Sequence, residues 1–250
     1  MNTTKKKIEA LNELIKDEKI TPTFIYNEGW MLRLVLNWLS ENREIKHELA
    51  FLENSDWFSE AALKTVFKAN KRGDKLSETY THADGVYGFI IPPDKGKGYV
   101  KLENDCKQFV VVEAKMFSKF SKGTKNAPTY NQAARIVACM CNIVNNQNVD
   151  NLAFYTFLPK DQIKDEKTFQ KFTDKGNIKE EVGKRVEQYG EMTKWYSDTF
   201  CPFLEKIQIK LVSWESILEL VKNEDAETYT MLNSFYEKCI DHNQKKQNKK

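Results

Sequence analysis

An apolar strand, a long apolar helix and a second apolar strand follow one another in the middle of this chain, and this order constrains the fold more than any other feature. Residues 109–115 read Phe-Val-Val-Val-Glu-Ala-Lys, residues 129–145 are nearly all apolar after a polar start, and residues 152–158 form an apolar run that ends at Pro159. Two parallel strands need a crossover of about this length, usually a helix. The sequence therefore predicts a βαβ unit with at least one parallel strand pair in an α/β domain.

Apolar spacing and turn residues predict further elements on both sides of this unit. Helices are expected at 5–17, 27–39, 57–69, 179–200, 215–222 and 225–240, and extended segments at 77–92 and 207–214. No repeat or linker interrupts the pattern. We expect one domain over 1–250, with a core at about 24–215, an N-terminal helix within 1–20, C-terminal helices at 215–240 and a basic tail at 241–250.

Composition excludes several classes of protein. No apolar run approaches the roughly 18–20 residues that a membrane span needs, and the charged N-terminus has no signal-peptide pattern, so we expect a cytoplasmic protein without a membrane partner. The five cysteines show no disulfide or zinc-ligand spacing. No glycine-rich phosphate loop is present, which argues against dinucleotide-binding and P-loop enzymes.

Positive charge is concentrated in one stretch. The formal net charge is only +3, yet residues 114–149 contain no acid and five basic residues: Lys115, Lys119, Lys122, Lys125 and Arg135. A local basic surface on a nearly neutral protein indicates a partner that carries phosphate. A solvated lysine loop is the alternative.

An acid and a base end the strand at 109–115. Because side chains alternate along a strand, Glu113 and Lys115 lie on the same face, roughly 6–7 Å apart by strand rise. Charges at the end of a buried strand are costly unless they are paired or bind a ligand. The pair is therefore a candidate binding or catalytic site, although an ordinary ion pair at the mouth of a sheet is the alternative.

Two more polar residues are expected near this pair. Asp84 begins an extended segment, and beside Glu113 it would complete a pair of carboxylates that, with a backbone carbonyl, suits Mg²⁺ or Mn²⁺. A hairpin turn at Asp84-Gly85 is the alternative. Gln132 begins the crossover helix on the same face as Arg135, near the carboxyl end of the strand, where open α/β sheets bind ligands. An ordinary polar first turn is the alternative.

The order of these residues resembles that of the PD-(D/E)XK nuclease superfamily. The likeness runs over about residues 24–215 and consists of an early helix with an acid, an aspartate at a strand start, an acid-x-lysine motif at a strand end and a helix with a glutamine, here Glu28, Asp84, Glu113-Ala114-Lys115 and Gln132. More closely, three segments taken together are similar to a group of bacterial proteins in that superfamily: residues 81–85, 111–119 and 131–135. In the motif that gives the superfamily its name, proline precedes the aspartate, whereas here Ala83 precedes Asp84. Some exonuclease branches have a tyrosine four residues after the glutamine, where this chain has Ile136. The missing tyrosine argues against a processive exonuclease.

The resemblance implies a fold and an activity. The fold would be a restriction-endonuclease-like α/β core, a mixed central sheet flanked by helices in αβββαβ order, with extra N- and C-terminal helices. The activity would be Mg²⁺- or Mn²⁺-dependent hydrolysis of phosphodiester bonds in DNA by an endodeoxyribonuclease, in restriction or defence and as a homodimer. The alternatives are a catalytically silent nuclease-like module that binds nucleic acid or a partner protein, and an unrelated α/β enzyme that acts on a phosphorylated small molecule.

The resemblance also assigns roles to individual residues. Asp84, Glu113 and the carbonyl of Ala114 would hold the metal, and Glu28 would join them directly or through water. Lys115 and Gln132 would position the attacking water and the phosphate. The DNA backbone would contact Lys119, Lys122, Lys125 and Arg135. His82 would contact the metal-binding side chains without binding the metal itself.

Overall fold

A mixed five-stranded sheet forms the centre of the protein. The computed structural model describes residues 3–69, 71–78, 80–91, 99–145, 147–164 and 166–247. The strands are β1 (Asp56–Lys64), β2 (Tyr80–Gly88), β3 (Ile90–Ile91), β4 (Lys101–Leu102), β5 (Gln108–Ala114), β6 (Asn151–Leu158) and β7 (Gln208–Ser213). The sheet order is β1-β2-β5-β6-β7, and β3 and β4 form a separate ladder. The β1–β2 and β2–β5 pairs are antiparallel, whereas the β5–β6 and β6–β7 pairs are parallel.

Helices cover both faces of the sheet. They are α1 (Thr3–Lys16), α2 (Pro22–Ile25), α3 (Glu28–Glu41), α4 (Gln132–Val144), α5 (Lys160–Ile163), α6 (Lys171–Thr173), α7 (Lys175–Tyr189), α8 (Thr193–Trp195), α9 (Cys201–Lys206), α10 (Trp214–Glu224) and α11 (Ala226–Gln247). Residues Glu166–Gln170 and Tyr196–Phe200 form π-helical turns. The predicted βαβ unit is confirmed as β5, α4 and β6.

Two apolar layers enclose β5, which is buried along its whole length. Phe109 and Val111 pack in one layer with α4, α7 and α9, and Val110 and Val112 pack in the other with α1, α3, α10 and α11. The alternation expected from the sequence is therefore confirmed. It sends the side chain of Glu113 to the same side of the sheet as α4.

The helix predicted at 57–69 is wrong, because residues 56–64 form the edge strand β1. Where β1 pairs with β2, Ser59 pairs with Gly85 and Ala61 pairs with Ala83. Glu60 therefore lies opposite Asp84, but these two residues do not pair in the ladder. Glu60 has a positive φ of 55°. The backbone amide of Val100 donates to the carbonyl of Ala62 on β1.

The ends of the chain are helical. The predicted N-terminal helix is confirmed as α1, and α11 continues to Gln247, so most of the predicted basic tail is helix. Residues 248–250 of that tail lie outside the described residues, as do Thr79 and Pro92 of the extended segment predicted at 77–92. In the part of the chain that the structure describes, no helix is long and apolar enough to cross a membrane.

Asn131 fixes the start of α4. Its side chain accepts a hydrogen bond from the amide of Ala134 at 2.9 Å. Because this bond satisfies one of the free amides at the helix start, we expect Asn131→Ala to lower the free energy of unfolding by about 1 kcal/mol in urea titrations. Asn131→Ser, which keeps an acceptor, should retain most of the stability. An equal loss in both variants would contradict a capping role.

Candidate active site

Strand pairing brings four of the predicted residues together at one end of β5. Asp84 lies in β2 next to β5, because Gly85 pairs with Val112. Its Oδ2 accepts a hydrogen bond from the amide of Ala114 at 2.7 Å. The alternative of an Asp-Gly hairpin turn is wrong, since Gly85 pairs inside the sheet with both β1 and β5. Asp84 therefore lies beside the end of β5, adjacent to Glu113.

Glu113 is at the centre of the cluster and is 2% exposed. The Nζ of Lys115 donates to its Oε1 at 2.6 Å, and the Nε2 of Gln132 donates to the same oxygen. Lys115 also lies 3.4 Å from the Oε1 of Gln132. The first turn of α4 and the end of β5 thus form one hydrogen-bonded group, with Lys115 and Glu113 on the same face as the sequence predicts.

The second oxygen of Glu113 receives no N–H or O–H donor. Its Oε2 is buried and accepts no hydrogen bond, while the carboxyl of Asp84 lies within hydrogen-bonding reach of Glu113. Burial, together with the charge of Asp84, raises the pKa of Glu113 to about 8, against the opposing effect of Lys115. A buried carboxylate with an open oxygen beside a second carboxylate is an environment that a cation would stabilise.

The residues present fit a hard divalent cation. Mg²⁺ in proteins commonly uses one or two carboxylates and keeps several waters, so Asp84, Glu113 and the carbonyl of Ala114 would be sufficient. Within the described ranges, no group of three or more His, Cys, Asp or Glu side chains is arranged to hold a metal ion. A site with fewer protein ligands leaves positions for water and substrate oxygens.

The backbone around Lys115 is held by residues distant in sequence. Its amide donates to the carbonyl of Phe157 on β6 at 2.7 Å, and its carbonyl accepts from the Nε1 of Trp214 at 3.0 Å. Ser121 exchanges two hydrogen bonds with Gln132, one through the backbone amide of Gln132 and one through its side chain. Sequence analysis missed Trp214 and Ser121, because no local pattern marks contacts of this kind.

The other predicted residues make contacts with residues outside this hydrogen-bonded group. Glu28 is the first residue of α3, and burial together with the charge of Glu28 raises the pKa of the Cys239 thiol on α11. The ring of His82 contacts that of Tyr80 at 4.9 Å. Two further acids each pair with an arginine: Glu60 with Arg33 at 3.1 Å and Glu78 with Arg185 at 3.7 Å.

The basic residues divide into two groups. Lys119, Lys122 and Lys125 are exposed on the segment between β5 and α4. Arg135 is only 8% exposed, because it lies in the stretch of α4 from Ala133 to Cys141 that is buried throughout. Its contact with a nucleic-acid backbone stays a prediction.

Comparisons with protein-family models, curated proteins and solved structures find no match to this chain.

Proposed function

We propose that this protein is a divalent-metal-dependent phosphodiesterase. The observation that carries the proposal is the pair of neighbouring carboxyls: the buried Oε2 of Glu113 accepts no hydrogen bond and the carboxyl of Asp84 is beside it, while Lys115 donates to the other oxygen of Glu113. Two carboxylates and a lysine within one hydrogen-bonded group are the parts that metal-assisted phosphodiester hydrolysis needs. A structural ion pair between Glu113 and Lys115 would not require the second carboxylate.

More particularly, we propose an endonuclease that cuts DNA with Mg²⁺ or Mn²⁺ and has a restriction-endonuclease-like core. The order α3, β1, β2, β5, α4, β6 supports this, since it is the αβββαβ order that the resemblance to PD-(D/E)XK nucleases implies. The exposed lysines between β5 and α4 support a partner with a phosphate backbone. A homodimer that cuts both strands, and a role in restriction or defence, extend the proposal.

The side chains have separate roles in this proposal. Asp84, Glu113 and the carbonyl of Ala114 would hold the metal, which when bound would make a coordinated water more acidic and offset charge on the phosphate. Lys115, whose Nζ donates to Glu113, would offset the negative charge that develops on the phosphate. Gln132 keeps Lys115 and Glu113 in fixed relative positions through its two side-chain contacts. Lys119, Lys122 and Lys125 would contact the backbone of DNA.

The experiment is cleavage of supercoiled plasmid in Mg²⁺ or Mn²⁺, with EDTA as the metal-free control. We expect Asp84→Asn to reduce the rate at least about 10²-fold, because it removes a negative metal ligand. Asp56→Asn is the matched control: Asp56 lies on β1, and its side chain accepts a local hydrogen bond from the backbone amide of Trp57. It should cut like wild type.

Three outcomes separate the possible functions. Metal-dependent cutting that Asp84→Asn abolishes supports the nuclease. Equal cutting by wild type and Asp84→Asn contradicts the site. If no plasmid or oligonucleotide is cut, calorimetric titration with Mn²⁺ decides, since binding that depends on Asp84 without cleavage would favour the catalytically silent module.

A further inference from the structure

A pocket of about 540 Å³ lies between the start of β2, the segment that precedes α4, and Arg135 on α4. Its lining includes Glu78, Tyr80, His82, Lys125, Asn126 and Arg135. The residues that line the pocket are close in sequence to residues of the cluster. His82 is two residues before Asp84, and Arg135 is one helical turn after Gln132. Lys125 lies in the segment that joins β5 to α4. A ligand in this pocket would therefore lie beside the carboxylates.

Arg135 is the feature of the pocket that points to a ligand. It is 8% exposed, and its Nε and Nη1 atoms are buried without a hydrogen-bond partner. A guanidinium group stays charged in proteins and has five N–H donors, so burying it with open donors is costly. Arg135 lines the pocket, so an anion that enters the pocket would offset this buried positive charge.

The charges around Arg135 leave an excess of positive charge. Glu78 is the acid that faces it, and Glu78 is shared with the fully buried Arg185, whose Nε lies 3.7 Å from the carboxylate. Burial raises the pKa of Glu78, whereas both arginines lower it. Lys125, exposed at the pocket wall, adds a further positive charge. When the neighbouring cluster is included, four basic groups (Arg135, Arg185, Lys125 and Lys115) stand against three carboxyls (Glu78, Asp84 and Glu113), so the excess charge is positive and favours an anion.

An exposed aromatic side chain stands at the wall of the same pocket. Tyr80 is 47% exposed, and its ring makes edge-on contacts with His82 at 4.9 Å and with Tyr99 at 6.1 Å. Those neighbours hold the ring in place, while nearly half of the side chain remains accessible. Exposed aromatic rings next to positive charge are the usual platform for unstacked bases of single-stranded nucleic acid.

We propose that this pocket binds an unpaired nucleotide of a DNA strand, with its phosphate on Arg135 and Lys125 and its base against Tyr80. The inference rests on the proposed nuclease function and adds a substrate class, DNA with a single-stranded segment at the cutting site. In a duplex the bases are stacked and paired, so a base cannot reach Tyr80 while its phosphate enters the recess that buries Arg135.

The test measures binding without cleavage. A fluorescein-labelled oligo-dT strand is titrated with protein in EDTA by fluorescence anisotropy, and a blunt duplex of equal length is used as competitor. We expect the single strand to bind at least about 10-fold tighter than the duplex. Arg135→Met should weaken binding to the strand about 10-fold without lowering the thermal midpoint, because it removes a buried charge with open donors. It should also reduce the salt slope of log K by about 0.7, the value for one single-strand phosphate contact.

Further variants separate the base from the phosphate. Tyr80→Ala should weaken binding about 10-fold, whereas Tyr80→Phe, which keeps the ring, should bind like wild type. Lys222→Ala is the control, since Lys222 is an exposed lysine on α10, on the other side of the sheet. Equal affinity for strand and duplex, or an Arg135→Met variant with wild-type affinity and salt slope, would overturn the proposal.

The two proposals can fail independently. Tight single-strand binding that needs Arg135 and Tyr80, in a protein whose cutting does not depend on Asp84, would support the pocket and contradict the nuclease site. Cutting that depends on Asp84, in a protein that binds duplex as well as single strand, would support the nuclease and overturn the pocket.

Discussion

Replacing Lys115 with alanine is expected to reduce DNA cleavage about 10³-fold while DNA binding changes only a few-fold. Lys115 is 8% exposed, and its Nζ donates to Glu113 at 2.6 Å, so its charge acts at the carboxylates rather than along the DNA. Loss of one positioned donor at a reacting phosphate costs about 10²–10³-fold, and the loss of its positive charge adds to this. Single-turnover cleavage in Mg²⁺ and anisotropy in EDTA measure the two quantities.

The matched control is Lys107→Ala, which removes an exposed lysine that immediately precedes the same strand, at its opposite end. It should cut at the wild-type rate. Lys115→Arg keeps the charge but changes its shape and reach, so an intermediate rate is expected. If Lys115→Ala lost binding and cleavage in parallel, Lys115 would be a backbone contact and the role assigned to it would be wrong.

The second large effect is on stability and depends on pH. The pKa of Glu113 is raised from 4.5 to about 8, so between these values the folded protein keeps a proton that the unfolded chain releases. Stability therefore falls as the pH rises through this window. Glu113→Gln carries no such proton, and metal-free wild type should lose on the order of 4 kcal/mol relative to this variant between about pH 5 and pH 8. Urea unfolding in EDTA at several pH values measures the difference.

Two controls make this result specific. Glu180→Gln replaces a fully exposed glutamate and should follow wild type at every pH. Adding Mg²⁺ at pH 8 should stabilise wild type but not Glu113→Gln, because only the ionised carboxylate binds the cation. A difference between wild type and Glu113→Gln that does not change from pH 5 to pH 8 would show that burial does not hold the proton on Glu113.

Periodicity predicted the buried centre of the fold correctly and the outer strand incorrectly. Strands β5 and β6 and helix α4 were predicted because long apolar runs leave few alternatives. Residues 57–69 have apolar side chains at 57, 58, 61, 62 and 63, which fit a helical period. What decides their conformation is pairing with β2, and local spacing does not encode that contact.

The candidate site was predictable in part for a similar reason. Glu113 and Lys115 share a face by the geometry of a strand, and Gln132 lies near them because a crossover helix begins where its strand ends. Their contact with Asp84 depends on the β2–β5 register, which the sequence alone did not define. The burial of Arg135 depends on the packing of Glu78 and Arg185 against α4, and thus on residues more than 40 positions away.

The irregular backbone of β1 at Glu60 has a consequence for association between copies of the protein. An outer strand exposes unpaired backbone groups, which form a template for edge-to-edge aggregation. On β1 that template is interrupted at Glu60 by a positive φ, and the carbonyl of Ala62 is already occupied by the amide of Val100. A strand from a second molecule would find only short segments to pair with. The interruption opposite Asp84 therefore also protects this edge of the sheet from the addition of strands from further molecules.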